Sequence, residues 1–590
     1  MSDYNAPIDE MQFVLAELAD LEGVASLPGL EEATPDLVSA VLEEAGKLAR
    51  DVLSPLNRVG DTEPSKLVNG EVVTPPGWKD AYRKFSETGW NSLAFSTEYG
   101  GQNLPWLLAT PLQEMWHAAN LSFGLCPLLT QGAIEALERH GSDELKRVYL
   151  PKMVSGEWTG TMNLTEPQAG SDLSAVRTRA EPEGDHYRLH GQKIFITYGD
   201  HDLTDNILHL VLARLPDAPE GVKGISLFLV PKYLLDANGD PGQRNDVRTV
   251  SLEHKLGIHA SPTCVLAYGD KEGAIGYLVG EANRGLEYMF TMMNLARHSV
   301  GVQGLAIAER AYQRALAYAK ERVQGRPIGE GERATIIHHP DVRRMLMTMK
   351  SKIEAMRGMA YVWASAFDKS LRHPSDAERR RQSQLVEVLT PIVKGWCTET
   401  GNEVAYLGVQ VHGGMGFIEE TGAAQHYRDA RITTIYEGTT GIQANDLVGR
   451  KVVRDRGEAA KAVIALMRET EGAAASLGDT GAALRECLDD LDEATDWVLR
   501  AAGQDPRLPA AASAYYLDLW AISVGSWLMA RSALAARKRL ESGEGDQGFF
   551  EAKLETAHYF ATHVASRSGA LLKTITTGSP STLKLDIDQF

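Results

Sequence analysis

The spacing of apolar positions changes along the chain and divides it into stretches of different texture. Over residues 1–160 the spacing is helical. In Glu31–Val52, Leu37, Val38, Val41, Leu42 and Leu48 recur with charges between them and predict an amphipathic helix. Gly100–Pro105 interrupts this region as a loop. From 161 to 279 short β-rich runs appear: Tyr187–His190, Lys193–Thr197, Ile207–Ala213, Ile225–Pro231, Val247–Leu252 and Thr263–Tyr268. Turn clusters such as Asp236–Pro241 separate them, which predicts a small antiparallel sheet or barrel. Helical spacing returns over 280–450. Leu286–Val323 lacks proline and predicts one long helix, and Val342–Leu371 predicts a second. Arg379–Leu407 predicts a third, with a kink at Pro391, before Gly413, Gly414 and Gly416 break the pattern. Residues 451–590 are Ala-rich and charged, with helical runs at Ala459–Thr470, Ala482–Ala502, Ala510–Leu540 and Phe550–Thr574. The expected fold is therefore mostly α with a central β-barrel domain. Its expected domains are an N-terminal helical domain (1–160), the barrel (161–279), a second helical domain (280–450) and a C-terminal helical extension (451–590).

Composition narrows the function. Of 590 residues, 43% are hydrophobic and 24% charged, which excludes wholesale disorder. A net charge of −19 argues against a nucleic-acid role, which needs a basic face. The four cysteines lie far apart in sequence, against a disulfide framework or a Cys-rich zinc site and in keeping with a reducing compartment. Met1–Glu10 has no basic or apolar leader pattern and is acidic, unlike a signal or transit peptide. Met115–Ile134 carries His117, Asn120, Pro127 and Gln131, and Leu519–Ala530 is too short to span a bilayer. The expectation is a soluble cytoplasmic protein with no transmembrane segment.

Neither a P-loop nor a strand-borne G-x-G-x-x-G is present. Taken alone, His412–Gly416 reads as a helix-ending turn. Met162–Asp172 offers hydroxyls at Thr165 and Ser171, and its Ala169–Gly170 step leaves the backbone open to a ligand. By itself it is equally a capped turn. Tyr436–Gly441 sets Glu437 in a glycine-flanked turn, where the carboxylate is either a general base or a solvated surface group.

Together these segments carry more. Met162–Asp172 resembles the T-E-P-x-A-G-S-D signature of the acyl-CoA dehydrogenase family, and Tyr436–Thr439 resembles its Y-E-G-T signature. Gln192–Thr197, Lys255–Thr263, Glu321–Gln324, Val409–Phe417 and Arg428–Arg431 follow in that family's order, so the resemblance covers Pro35–Val453. It implies a helical domain, a β-barrel and a helical domain. It also implies α,β-dehydrogenation of acyl-CoA thioesters, in which a carboxylate takes the α-proton and the β-hydrogen leaves as hydride to FAD.

The resemblance implies Glu437 as the base. Some relatives carry the base on the long helix, but Ala296 stands there. It implies FAD contacts at Leu164, Thr165, Ser171, Phe195, Thr197, Arg322, Gln324, His339, Gln410, Gly413, Gly414 and Thr439. Ser171, Asn294, Arg297, Tyr436 and Gly438 match positions near the acyl-CoA, although Arg297 is also compatible with a structural ion pair. No metal is expected, because His338–His339 lacks a third ligand. Gly325, Gly441, Pro340 and the added Gly329–Thr335 loop depart from the family pattern. The implied partners are an acyl-CoA, an electron-transferring flavoprotein and a second copy in a homodimer. Within the resemblance, broad-range fatty acyl-CoA and 3-methylmercaptopropionyl-CoA dehydrogenases both fit. An acyl-CoA oxidase, a non-enzymatic scaffold and a flavin monooxygenase of the same fold are the rivals.

Overall fold

Strands β1 Trp158–Asn163, β2 Arg179–Glu183, β3 His186–Thr197, β4 Asn206–Arg214, β5 Ile225–Pro231, β6 Val247–Leu252, β7 Thr263–Tyr268 and β8 Ala274–Leu278 form one eight-stranded sheet. This structure is a computed structural model and describes residues 4–329 and 331–590. Met1–Asp3 of the N-terminal reading and Glu330 of the added loop lie outside the described residues. The sheet order is β6-β7-β3-β8-β5-β4-β1, with β2 pairing β3 and β4. Strands β4 and β5 are buried almost throughout, as expected of near-continuous apolar runs covered on both faces. They pair antiparallel from Leu208↔Pro231 to Arg214↔Ile225, and β1 lies parallel to β4 with Asn163 opposite Val211.

Among the described residues no pairing joins the outer strands β6 and β1. The molecule is thus mostly helical, 64%, with a β-sheet domain, and the predicted closure into a barrel is not made by those edges. The predicted runs Tyr187–His190 and Lys193–Thr197 are one strand, β3. Sequence reading misses β1, β2 and β8, and two short hairpins, Lys66–Val68 with Glu71–Val73 and Tyr233–Leu235 with Pro241–Arg244. Strand β1 (W-T-G-T-M-N) escapes because its small and polar residues are buried, so no apolar alternation marks it.

One compact unit holds Glu44–Leu104 and Met115–Ala296; the other holds Ala6–Glu43, Pro105–Glu114 and the residues from Arg297 onward. The first contains the sheet, whose core gathers Ala180, Leu189, Ile196, Val211, Phe228, Val230 and Leu266. It also contains α1 Leu121–His140, capped by the Asn120 side chain on the Phe123 N–H. The predicted long helix is α2 Gly285–Glu321, which belongs to the first unit through Ala296 and to the second from Arg297.

The second unit is built on α3 Pro340–Arg372 and α4 Asp376–His412. Helix α4 runs on through Pro391 and stops where Gly413 takes φ +60°. A Cβ on Gly304 of α2 would meet the Cys397 carbonyl oxygen of α4 at 2.3 Å, so glycine is needed where these helices touch. Deeper in the unit, Arg357 is buried between Glu114 at 2.7 Å and Glu309 at 2.8 Å, and the Tyr361 hydroxyl donates to Glu114 at 2.7 Å. Burial alone would lower the Arg357 pKa; these carboxylates reverse that and hold it protonated.

Of the C-terminal helices, α5 Thr440–Asp446 is short. The extension contributes α6 Asp479–Gln504, α7 Arg507–Ser542 and α8 Gln547–His563. Helix α7 is the described helix long and apolar enough to cross a membrane, longer than the Leu519–Ala530 segment read from sequence. Yet 83% of its most apolar stretch is buried inside the protein, against α3, α4, α6 and α8. Replacing Gly304 by Ala is expected to destabilise the fold by about 1–3 kcal/mol through overpacking. Thermal unfolding followed by circular dichroism measures this, and an unchanged midpoint would refute the α2–α4 contact.

Candidate active site

In the first unit, strand β3 is bulged: Ile196 pairs with Cys264, but the next pair is Lys193 with Leu266. The two residues within the bulge fall out of register, and Phe195 adopts φ +59°. A bulge re-aims a side chain in this way. Phe195 is 59% exposed, an unusual state for a large aromatic in a strand. Leu164 and Thr165 lie beside it, because Ile194 N–H donates to the Thr165 carbonyl at 2.9 Å. Thr197 closes the same strand opposite Thr263.

A buried ion pair anchors this loop. The Lys193 ammonium donates to the Leu164 carbonyl at 3.0 Å and to the Glu166 carboxylate at 2.8 Å. Glu166 also accepts from the Thr178 hydroxyl at 2.6 Å and from the Arg177 and Thr178 N–H groups at 2.7 and 3.0 Å. Burial would raise the Glu166 pKa, but the Lys193 charge and these bonds bring it down to about 2. Burial brings Lys193 down to about 8 against the pull of Glu166. Ser171 stands exposed in the same loop, and a Cβ built on the adjacent Gly170 meets nothing within 4 Å. Asn294 is exposed on α2.

The second unit holds the Glu437 turn. A 3-10 turn over Arg431–Thr434, closed by Ile435, precedes Tyr436, whose hydroxyl donates to Gln303 of α2. Glu437 then takes φ +56° and Gly438 φ +89°, and the Thr439 side chain caps α5 by accepting the Ile442 N–H at 3.3 Å. A left-handed glutamate is uncommon and marks a site where surrounding contacts hold the backbone. Those contacts come from Lys394, whose ammonium donates to the Gly438 carbonyl at 2.6 Å. Gln443 adds its Nε2 to the Glu437 and Gly438 carbonyls at 3.1 and 3.2 Å.

Glu437 is half-buried, and loss of water around its carboxyl pushes its pKa up to about 7, with Arg297 and Lys394 opposing. Arg297 is buried, lies 3.4 Å from Asp446, and leaves its Nε without a hydrogen-bond partner. Burial lowers its pKa and Asp446 opposes this. Arg297 is thus both in an ion pair with Asp446 and a cation acting on the Glu437 carboxyl.

The remaining expected residues fall into two local groups. Arg322, Gln324 and His339 share a small bridge, Val323↔Thr335. There Ile336 N–H donates to the Arg322 carbonyl at 2.7 Å, and His339 Nε2 lies 2.8 Å from the Gln324 carbonyl. Gln410, Gly413 and Gly414 are exposed at the end of α4, and Cβ atoms built on both glycines meet nothing within 4 Å. Sequence reading missed Lys394, Gln443, Gln303 and the Lys193–Glu166 pair. A lone lysine in the apolar run Pro391–Trp396 was the available signal for Lys394.

The expected flavin is compatible with these residues. An exposed aromatic held at a strained bulge offers a face to a flat ring, and the bare glycines leave backbone accessible to a phosphate-bearing chain.

Four family models match in order. They describe the acyl-CoA dehydrogenase N-terminal domain over residues 41–157, middle domain over 161–270 and C-terminal domain over 283–452, and an acetyl-CoA dehydrogenase C-terminal-like domain over 460–586. The chain is 50% identical to the 3-methylmercaptopropionyl-CoA dehydrogenase of Ruegeria pomeroyi, across 98% of this chain and 99% of that one. It is 34% identical to the broad-specificity linear acyl-CoA dehydrogenase FadE5 of Mycobacterium tuberculosis, across 99% of both. An acyl-CoA dehydrogenase complexed with FAD from Bacillus anthracis shares the fold, with TM-score 0.74 at 20% identity over 94% of this chain and 90% of that one.

Glu166→Gln leaves Lys193 buried without its counter-charge, which costs about 3–5 kcal/mol. The variant is expected to melt earlier and to lose bound flavin absorbance; a wild-type melt with full flavin would show that the pair does not anchor the loop.

Proposed function

The chain belongs to the acyl-CoA dehydrogenase family of FAD-dependent oxidoreductases, and from that premise we propose that Glu437 is the base that removes the α-proton of its acyl-CoA. The observation that carries this is the Glu437 turn: a carboxylate in a left-handed turn, with pKa near 7, facing two buried cations. An alkyl thioester α-proton is very weakly acidic. A base with raised proton affinity is better matched to it than a solvated carboxylate.

In this reading Glu437 takes the proton on a carboxyl oxygen and becomes neutral. Arg297 and Lys394 favour its charged form before the step, so it stays available as a base despite burial. Bound FAD supplies the acceptor for the β-hydrogen, which leaves as hydride. Leu164, Thr165, Phe195 and Thr197 would hold the flavin ring, with Ser171 at its pyrophosphate side. Arg322, Gln324, His339, Gln410, Gly413, Gly414 and Thr439 would hold the rest of the cofactor. Ser171, Asn294, Arg297, Tyr436 and Gly438 would line the acyl-CoA. Arg322, Gln410 and their neighbours serve the cofactor of a second copy, which makes the working unit a homodimer. An electron-transferring flavoprotein then takes the electrons.

For the substrate we favour 3-methylmercaptopropionyl-CoA. The likeness to the Ruegeria enzyme spans 98% of the chain at 50% identity, against 34% for the linear acyl-CoA enzyme. The second reading, a linear acyl-CoA, keeps the same base. Anaerobic flavin reduction with each CoA ester separates them. The first ester is expected to bleach the flavin fastest, and a faster linear ester reverses the assignment. Bleached enzyme that reoxidises with O2 at turnover rate would mark an oxidase.

Glu437→Gln is expected to keep FAD and lose substrate-driven bleaching by at least about 10³-fold, because an amide cannot accept the proton. In the unaltered enzyme the rate at low substrate should rise with pH and level off above about 7, since only the ionised carboxylate is a base. A flat profile from pH 5 to 9 is incompatible with Glu437 in this role.

A further inference from the structure

The Glu437 turn is not held by its own sequence. Two successive residues lie in the left-handed region, and only the second is glycine. Such a turn leaves its carbonyls pointing away from helical partners, so they must find donors elsewhere. Both donors come from other elements: the ammonium of Lys394 on α4 and the amide of Gln443 on α5. Lys394 is fully buried, and its Nζ reaches the Gly438 carbonyl at 2.6 Å. A buried ammonium is costly unless it is charge-compensated, and the carboxylate that attracts it most is Glu437, followed by Glu399. The same position holds the backbone and faces the base.

We propose that Lys394 is a positioning residue for the Glu437 base: its ammonium, fixed on the Gly438 carbonyl, holds the turn that presents the carboxylate and keeps one buried positive charge beside it. This rests on Glu437 being the base. Other charged and polar groups share this environment. Arg297 on α2 is the second cation facing Glu437, and Asp446 on α5 with Arg450 beside it faces Arg297. Tyr436, next in sequence, hydrogen-bonds Gln303. Of the two cations that face Glu437, Lys394 is also hydrogen-bonded to the turn, through the Gly438 carbonyl. Gln443 shares the carbonyl and carries no charge. Its Nε2 would lie 2.7 Å from a Cβ on Gly438, so the clamp also fixes why that residue is glycine.

Two variants separate the clamp from the charge. Lys394→Gln keeps an N–H donor and removes the charge; Lys394→Met removes both. Both are made in the full chain, loaded with FAD and followed anaerobically by flavin bleaching with 3-methylmercaptopropionyl-CoA and butyryl-CoA from pH 5 to 9. Loss of a positive charge beside a carboxylate favours its protonated form. The acid limb of the rate is therefore expected to move up by about one pH unit in both variants. The maximal rate is expected to fall about 10-fold in Lys394→Gln and about 100-fold in Lys394→Met, with the half-saturating substrate concentration little changed. An unmoved limb in both variants overturns the proposal. So does loss of FAD or of circular dichroism in both, which would make Lys394 purely structural. Glu437→Gln run alongside tests the other reading. If that variant bleaches normally, Glu437 is not the base, whatever Lys394 does; if it is dead while the Lys394 variants behave as the wild type, only the clamp fails.

Discussion

Removing water from a carboxylate without neutralising it is the constraint on which this molecule turns. Desolvation raises the proton affinity of Glu437, and unopposed it would favour the protonated form still more. Arg297 and Lys394 oppose it from two different helices. Those helices must therefore lie close and in one register. Gly304 on α2 and Gly401 on α4 provide that approach, since a Cβ on either would run into the other helix's backbone. The spacing of a cation pair around one carboxylate is thus set by two glycines a turn or more away from it.

The first unit meets a different requirement with the same physics. There the buried pair Lys193–Glu166 does not act on a reactant; it ties the end of β1 to the bulged strand β3. The pair joins a strand to a loop, and its hydrogen bonds to Leu164 and Thr178 make it directional. Glu166 is held ionised far below neutrality, whereas Glu437 is poised near it. The difference lies in the donors each carboxylate receives. Glu166 accepts from an ammonium, a hydroxyl and two backbone N–H groups, while Glu437 feels its cations through space. One stays charged at neutral pH, and the other lies where its charge depends on pH.

What could be read from the sequence follows the same division. Glu437, Thr165 and Phe195 stood out as candidates because they sit in short linear segments that resemble family signatures. The long helices and five of the strands were legible through periodicity. Lys394 and Gln443 were not, because their role exists only once α4 and α5 are brought to the turn. In the linear pattern Lys394 is a charge interrupting an apolar helix face, which usually means solvent. Strand β1 was hidden by its threonines, glycine and asparagine, whose hydroxyl and amide groups are satisfied inside the sheet: Thr161 by His209 at 2.7 Å and Asn163 by Tyr268 at 2.9 Å. Barrel closure was expected from short strands separated by turn clusters and from the family resemblance, but pairing depends on edges that residue pattern does not specify.

The extension after Arg450 then takes on a physical meaning beyond added mass. Helix α7 passes over α4 where Leu517 packs against Gly395, so closely that a Cβ there would meet it at 2.9 Å. Gly395 is the residue after Lys394, and α7 also packs on α5, which carries Gln443. Both elements that hold the Glu437 turn are therefore covered by the same apolar helix. Its composition, read alone, resembles a membrane span; its burial shows that the apolar surface is spent inside the protein. Lys394 itself is fully buried, and its neighbour Gly395 is where Leu517 of α7 reaches α4. The extension and the Glu437 turn are then one packing unit, because α7 packs on both helices whose side chains clamp that turn.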